Sequence, residues 1–222
     1  ELDTAALAAY GGSNEVRVVT WYDQSGNSND ATQGTSTSRS ILYRDSSATV
    51  PGVVLNNGKP AVETLTNVIS YNLPPGALPS NINNASSFIT YGLTTASQSS
   101  TRIMAALGSP ANSARWYSPA LNSSNEYFSY GSSFTSSNVL IGAADTDQHI
   151  LTGIAGSTQG NFSVFKDGAL EFTQLLANAV PTTGYIGGNI SAYFQEFVVY
   201  HSDESNVKTG IESNINGFYG AY

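Results

Sequence analysis

Two short stretches bring oxygen- and nitrogen-bearing side chains together at spacings that chemistry could use. The first is VVTWYDQSGNSNDATQ (18–33), where Asp23, Ser25, Asn27 and Asn29 alternate in the manner of ligands in a calcium loop. The match to a helix-loop-helix calcium site is incomplete. Gly26 takes the fourth position, Ser28 stands where such loops need glycine, and Gly34 replaces the bidentate glutamate. Asx and glycine residues also build turns by hydrogen-bonding their own backbone, with no ion required. A structural corner is therefore the expectation, with calcium on Asp23, Ser25 and Asn27 as the weaker alternative and no other cofactor. The second stretch is Asp145-Thr146-Asp147-Gln148-His149. If extended, it turns both aspartates and the histidine to one face, a set that could hold a metal or move a proton. A usual zinc site needs three or four ligands and the chain has only two histidines, so a structural role is preferred here too. His201, the other histidine, ends a strand-like run and is expected at solvent.

Acid–base hydrolysis of a glycoside by a retaining mechanism needs two carboxyl groups about 5 Å apart. No run of this sequence alternates carboxylates as Glu-x-Asp-x-x-Glu, and no Gly-x-Ser-x-Gly elbow offers a nucleophile. Asp167 and Glu171 flank a turn and are expected to be solvated. Glu196 lies in YFQEFVVY (193–200), and no catalytic residue is assigned. Binding has better candidates. ARWYSPALNSSNEYFSYGSS (114–133) gathers Trp116, Tyr127 and Tyr130 with Asn122 and Asn125, aromatics that stack on sugar faces and amides that bridge hydroxyls. The same residues would equally serve a protein contact, since Trp- and Tyr-rich patches anchor interfaces.

These residues sit in a chain of 222 amino acids with only 11% charged side chains and a formal net charge of −8. Eight scattered Lys and Arg cannot supply the clustered phosphate contacts that nucleic acid demands. No apolar run reaches the roughly eighteen residues of a membrane span. Zero cysteines exclude disulfides and thiolate metal sites.

The elements that must position the candidate sites are short. β-patterned runs at 16–22, 53–55, 87–94, 102–107, 114–117, 126–130, 139–142, 149–155, 162–166, 170–173, 185–187 and 193–200 are separated by Gly, Asn, Pro and Ser clusters, which predicts an all-β sandwich of two antiparallel sheets. Within NFSVFKDGALEFTQ (161–174), Asp167-Gly168 supplies the positive φ angles of a tight hairpin. Residues 202–220 change period. Ser202 or Asp203 can cap, and Val207, Ile211, Ile215 and Phe218 recur at helical spacing, so a short amphipathic C-terminal helix is predicted. The least regular stretch, 67–87, reads as a long surface loop.

The order of VTWYDQSGNSNDATQ, NGKPAV (57–62), FKDGALEF (165–172), YIGGN (185–189) and YFQEFVVYHSDES leading into IESNINGFY resembles concanavalin A-like (laminin-G-like) jelly-roll modules. Such modules occur in phage fibre and appendage proteins and in bacterial surface proteins. A related form is the catalytic domain of arabinofuranosidase B, which shares the Tyr-Asp-Gln-Ser-Gly segment. The resemblance implies one domain over 1–222, and a fragment or ordered part of a longer protein, since relatives carry an early strand before the segment like ELDTAAL. An unfilled sheet edge or a strand borrowed from a neighbouring chain is the corollary. In the arabinofuranosidase the acid/base aspartate lies in an extended loop near Gly-Gly-Asn, whereas GGNISAYF (187–194) is short and has no carboxylate. The resemblance thus implies a non-catalytic module for attachment to a glycan or host-surface receptor, on a virion or extracellular surface and beside neighbouring chains of a fibre. A hydrolase of arabinofuranosidase type and a structural spacer or decoration domain are the alternatives.

Overall fold

The computed structural model describes residues 2–64, 71–96, 98–107, 116–130, 138–156, 161–175, 181, 183–188 and 190–222, with backbone alone for Asn83 and for 98–104, 116–123, 129–130, 138, 161 and 175. Helix α1 (Thr4–Gly11) precedes the short strands β1 (Val16–Arg17), β2 (Thr20–Trp21), β3 (Ala31–Thr32), β4 (Ile41–Arg44), β5 (Gly52–Val53), β6 (Leu55–Asn56), β7 (Lys59–Pro60), β8 (Val62–Thr64) and β9 (Tyr71–Asn72). Longer strands follow: β10 (Ala85–Leu93), β11 (Gln98–Leu107), β12 (Trp116–Ser123), β13 (Asn125–Tyr130), β14 (Asn138–Ala143), β15 (Gln148–Ala155), β16 (Asn161–Lys166) and β17 (Ala169–Leu175). The chain ends with β18 (Gly184–Ile186), β19 (Ala192–Tyr200) and helix α2 (Lys208–Tyr219).

Among the described residues seventeen of these strands form two antiparallel sheets, as the alternating runs predict, and β6 and β7 pair as a separate hairpin. One runs β1-β4-β8-β19-β10-β15-β16-β17, with β5 on β4; the other runs β14-β13-β12-β11-β18-β9-β3-β2. Their inner faces share a core of Tyr71, Ile89, Tyr91, Phe128, Phe162 and Phe194. Phe128 meets Phe162 with ring centres 5.0 Å apart, and Trp21 meets Phe194 edge-on at the same distance, so aromatic contacts lock both ends of the interior.

Several boundaries differ from the expectation. The run at 16–22 is two strands, because Val18 leaves the ladder to donate to the Ser40 carbonyl. The stretch read as one long loop contains β9, two 3₁₀ turns and the start of β10. Helix α1, unforeseen, is capped by the Asp3 carboxylate on the Ala6 amide at 2.9 Å.

α2 is later and turned differently from the prediction. Ser202 and Asp203 do not cap it; their oxygens serve the preceding turn, with Ser205 donating to Asp203. Ile215 is buried with Phe88 and Ile150 on the outer face of the first sheet, but Val207 and Phe218 are exposed. Glu212 takes the buried face instead, accepting from Thr152 Oγ1 at 2.7 Å and Lys208 Nζ at 2.6 Å. A buried acid is tolerated there because each of its oxygens has a donor.

One phenol ties the two sheets together. Tyr71, on β9, accepts from the Ser40 amide at 2.9 Å and donates to the Val18 carbonyl at 2.8 Å, across to the other sheet. Tyr71→Phe should destabilise the protein by about 1–3 kcal/mol, because the Ser40 amide is left buried without an acceptor. Chemical denaturation checks this, and an unchanged midpoint would show that the bridge contributes nothing.

Candidate functional site

Around the first stretch the chain makes a self-contained corner. Asp23 accepts from the amides of Ser25 (2.8 Å) and Asn29 (3.0 Å) and from the Ser25 hydroxyl (2.8 Å). Asn27 donates to Ser25 Oγ from its amide side chain at 2.9 Å, and Asp30 accepts from the Asp23 amide at 2.8 Å. Ser28 at φ 58° and Gly26 at φ 82° turn the chain. The hydrogen bond from the Ser25 hydroxyl, helped by those from the Asn29 and Ser25 amides, lowers the Asp23 pKa and holds it as a carboxylate. The Asp23 and Ser25 oxygens proposed as calcium ligands thus accept from the loop's own donors. Among the described residues no group of three or more His, Cys, Asp or Glu side chains is arranged to hold a metal ion.

This corner forms one wall of a groove of about 1020 Å³ whose other wall is the last half of β19. Trp21 and Tyr22 divide between its floor and rim: Trp21 packs on Phe194, while Tyr22 is 66% exposed. Glu196 also lines the groove, and burial raises its carboxyl above the ordinary value.

The second stretch does not assemble as its alternation suggests. Asp147 turns to solvent, its amide donating to Asp145 at 2.9 Å. His149 is buried and held at both nitrogens, Nδ1 to Asp167 at 2.7 Å and Nε2 to Asp145 at 2.8 Å. Two carboxylate partners require two ring donors, which is the imidazolium, so no lone pair remains for a metal or for proton abstraction. Asp167, read as a solvated turn residue, is instead a clamp: its other oxygen accepts from the Ile150 amide at 2.9 Å, and φ angles of 52° and 80° at Asp167 and Gly168 make the turn that aims it. Burial opposes protonation of His149, but the hydrogen bonds to Asp167 and Asp145 outweigh it and raise the pKa above its ordinary value.

Beside this triad is a buried charge that composition and spacing conceal. Glu126, on β13, is 1% exposed; Lys166 Nζ donates to it at 2.6 Å and the Tyr91 hydroxyl donates to its second oxygen. The inward position of Glu126 on an alternating strand was its only sequence signal. Glu171 and His201 are exposed, as read from the sequence.

The aromatic candidates fall on the β12–β13 hairpin of the second sheet. Its register pairs Trp116 with Tyr130, Ala120 with Tyr127 and Asn122 with Asn125. Asn125 is exposed, Tyr127 is half-buried and Phe128 is core. The side chains of Trp116, Asn122 and Tyr130 lie outside the described residues.

No protein-family model and no curated protein matches the sequence. Solved structures share the architecture. The botulinum neurotoxin serotype D binding domain is 13% identical with a TM-score of 0.55, over 92% of this chain and 50% of that one. The botulinum neurotoxin serotype C1 binding domain is 10% identical with a TM-score of 0.52, over 92% of this chain and 51% of that one. The chain therefore has the fold of β-rich binding domains while spanning about half their length.

Two outcomes follow. Asp23→Ala should lower the melting temperature while EGTA leaves the wild type unchanged; a large loss with EGTA that calcium restores would reassign the corner as an ion site. For His149 the folded pKa is raised, so its contribution is complete below the unfolded value of about 6.5 and is lost as pH rises through the folded value. Denaturation midpoints should fall over that alkaline-going interval in the wild type and not in His149→Gln. Parallel pH profiles for the two proteins would refute the assignment.

Proposed function

We propose that this chain is a non-catalytic attachment module that recognises a glycan or receptor on a host surface, within a phage fibre, another virion appendage or a bacterial surface protein. The observation that carries the reading is the alternation of β13: Glu126 and Phe128 enter the interior, so Asn125 and Tyr127 stand on the outer face of the second sheet, and the register pairs Asn122 with Asn125 and Ala120 with Tyr127. An exposed amide beside a half-buried ring on an outer sheet face suits the hydroxyls and the apolar face of a sugar. The low surface charge favours a hydroxyl-rich partner. The two-sheet fold shared with toxin binding domains is consistent with this use, and the ordered motifs that resemble concanavalin A-like modules point the same way.

A hydrolytic reading draws on a different observation. Glu196 and Asp23 line one groove, the first with its pKa raised by burial and the second with its pKa lowered by the hydrogen bond from Ser25, the pattern of an acid beside a carboxylate. Asp23, however, is committed to the donors of its own turn.

A glycan array read with multivalent protein tests the proposal. Retention should be weak for the monomeric protein and strong when clustered, since avidity must supply what a shallow platform does not. Tyr127→Ala with Asn125→Ala should weaken retention by about tenfold or more, equivalent to ~1.4 kcal/mol, with the circular dichroism spectrum retained. Aryl arabinofuranosides and a polysaccharide panel should release nothing. Turnover abolished by Glu196→Gln or Glu171→Gln would establish the hydrolase, and absence of both binding and turnover would leave a spacer or decoration role.

A further inference from the structure

β19 is bonded along its whole length to β10, but on its other edge β8 reaches only Ala192, Tyr193 and Phe194. Past that point the neighbouring chain leaves the sheet: the Ala61 amide turns to the Val54 carbonyl at 3.0 Å, and the carbonyls of Asn56 and Lys59 accept from the Gln195 side chain. From Glu196 to Tyr200 no strand among the described residues takes this edge. The 1020 Å³ groove follows it, lined by every residue from Gln195 to His201. Consecutive strand residues point to opposite faces, so a groove lined by all of them runs along the strand's edge and not across one face.

The slot has the two chemistries of a strand site. Inward positions Phe197 and Val199 continue the layer of Trp21 and Leu73 that packs on the core, while outward positions Val198 and Tyr200 pack beside α2. Its charges have one sign: Asp23 and Glu196 line it, and no Lys or Arg does. Among the described residues Glu196 has no hydrogen bond or ion pair, although it is half-buried.

We propose that the Glu196–Tyr200 edge accepts an extended segment of a partner polypeptide as an added strand, with apolar residues alternating inward and a basic residue set beside Glu196. Strand addition satisfies the free backbone groups and gives affinity; the alternating side chains give selectivity. A cation at the position across from Glu196 pairs a half-buried carboxyl that has no ion pair among the described residues, and cross-strand opposite charges favour that register. The site is separate from the β12–β13 hairpin and does not depend on the glycan reading.

The probe is a synthetic peptide, acetyl-Thr-Val-Lys-Val-Thr-Val-amide, against the same peptide with Glu in place of Lys, followed by hydrogen exchange of the backbone amides and by fluorescence titration. The Lys peptide should protect alternate amides within 196–200 and bind about tenfold more tightly than the Glu peptide. Glu196→Lys should reverse the order, and the near-isosteric Glu196→Gln should abolish the preference, keeping the test decisive if the reversed charge impairs folding. No protection by either peptide, or equal binding of both, would overturn the proposal. So would concentration-dependent protection of this edge without peptide and with a dimer mass, which would make a second copy of this chain the occupant. Loss of glycan retention with peptide binding intact would refute only the attachment reading.

Discussion

A carboxylate sealed between two sheets constrains everything built around it. Glu126 enters the interior from one sheet, and its partners Lys166 and Tyr91 come from the other, so the bonds to its two oxygens act as a pin through the sandwich. Removing one partner would strand a charge where solvation is poor, at a cost of about 3–5 kcal/mol. That penalty ties the register of β13 to those of β16 and β10: a one-residue slip in any of them would turn its side chain out of the core. Desolvation, with the neighbouring Glu126 charge, holds the Tyr91 hydroxyl well above its ordinary pKa, so it stays protonated and remains the donor.

The charged triad and the C-terminal helix hang from this pin. Lys166 ends β16, and the next residue is Asp167, whose carboxylate reaches His149 and the Ile150 amide on the adjacent strand. Tyr91 lies with its ring 5.7 Å from the His149 ring, so the pin and the triad share a wall. Lys208 of α2 then reaches over the hairpin, its ammonium 4.1 Å from the Phe165 ring centre and 2.6 Å from Glu212. The tight turn, the buried pair and the helix thus position one another, and the polar groups of this end of the molecule are spent on architecture. That accounting turns an apparent acid–base or metal cluster into a structural one.

Features governed by local chemistry were legible in the sequence. Two-residue periodicity announced the long strands, Asp167-Gly168 announced its hairpin, and the Asx corner announced a turn. What sequence left dark was set by tertiary partners. Glu212 is buried and Phe218 exposed because Thr152 and Lys208 offer donors to an acid on that face, a fact that helical spacing cannot encode. Asp167 reads as a solvent-facing turn residue until His149, eighteen positions earlier in the chain, is brought beside it. Of the binding candidates, the sequence showed the aromatic and amide composition. The pairing of Trp116 with Tyr130 required the ladder.

The margins at β1, β2 and β17 are managed differently from the open part of β19. Where β1 and β2 end their sheets, each strand is two residues long, and Arg17 is held by Glu15 and the Arg39 carbonyl. The margin at β17 carries Glu171 in the open. Short strands and exposed charges are the ordinary means of discouraging edge pairing. The open part of the β19 margin, Glu196–Tyr200, differs: Phe197, Val198 and Val199 run in succession after a single, half-buried acid. An apolar edge of this kind, open on one side, would be an aggregation hazard if it were flat. Here it lies recessed behind the Tyr22–Asn29 corner, whose hydrogen bonds hold the wall in place. Recession blocks the side-by-side approach of two sheets while still admitting a single extended chain, so the corner turns a liability into a selective opening.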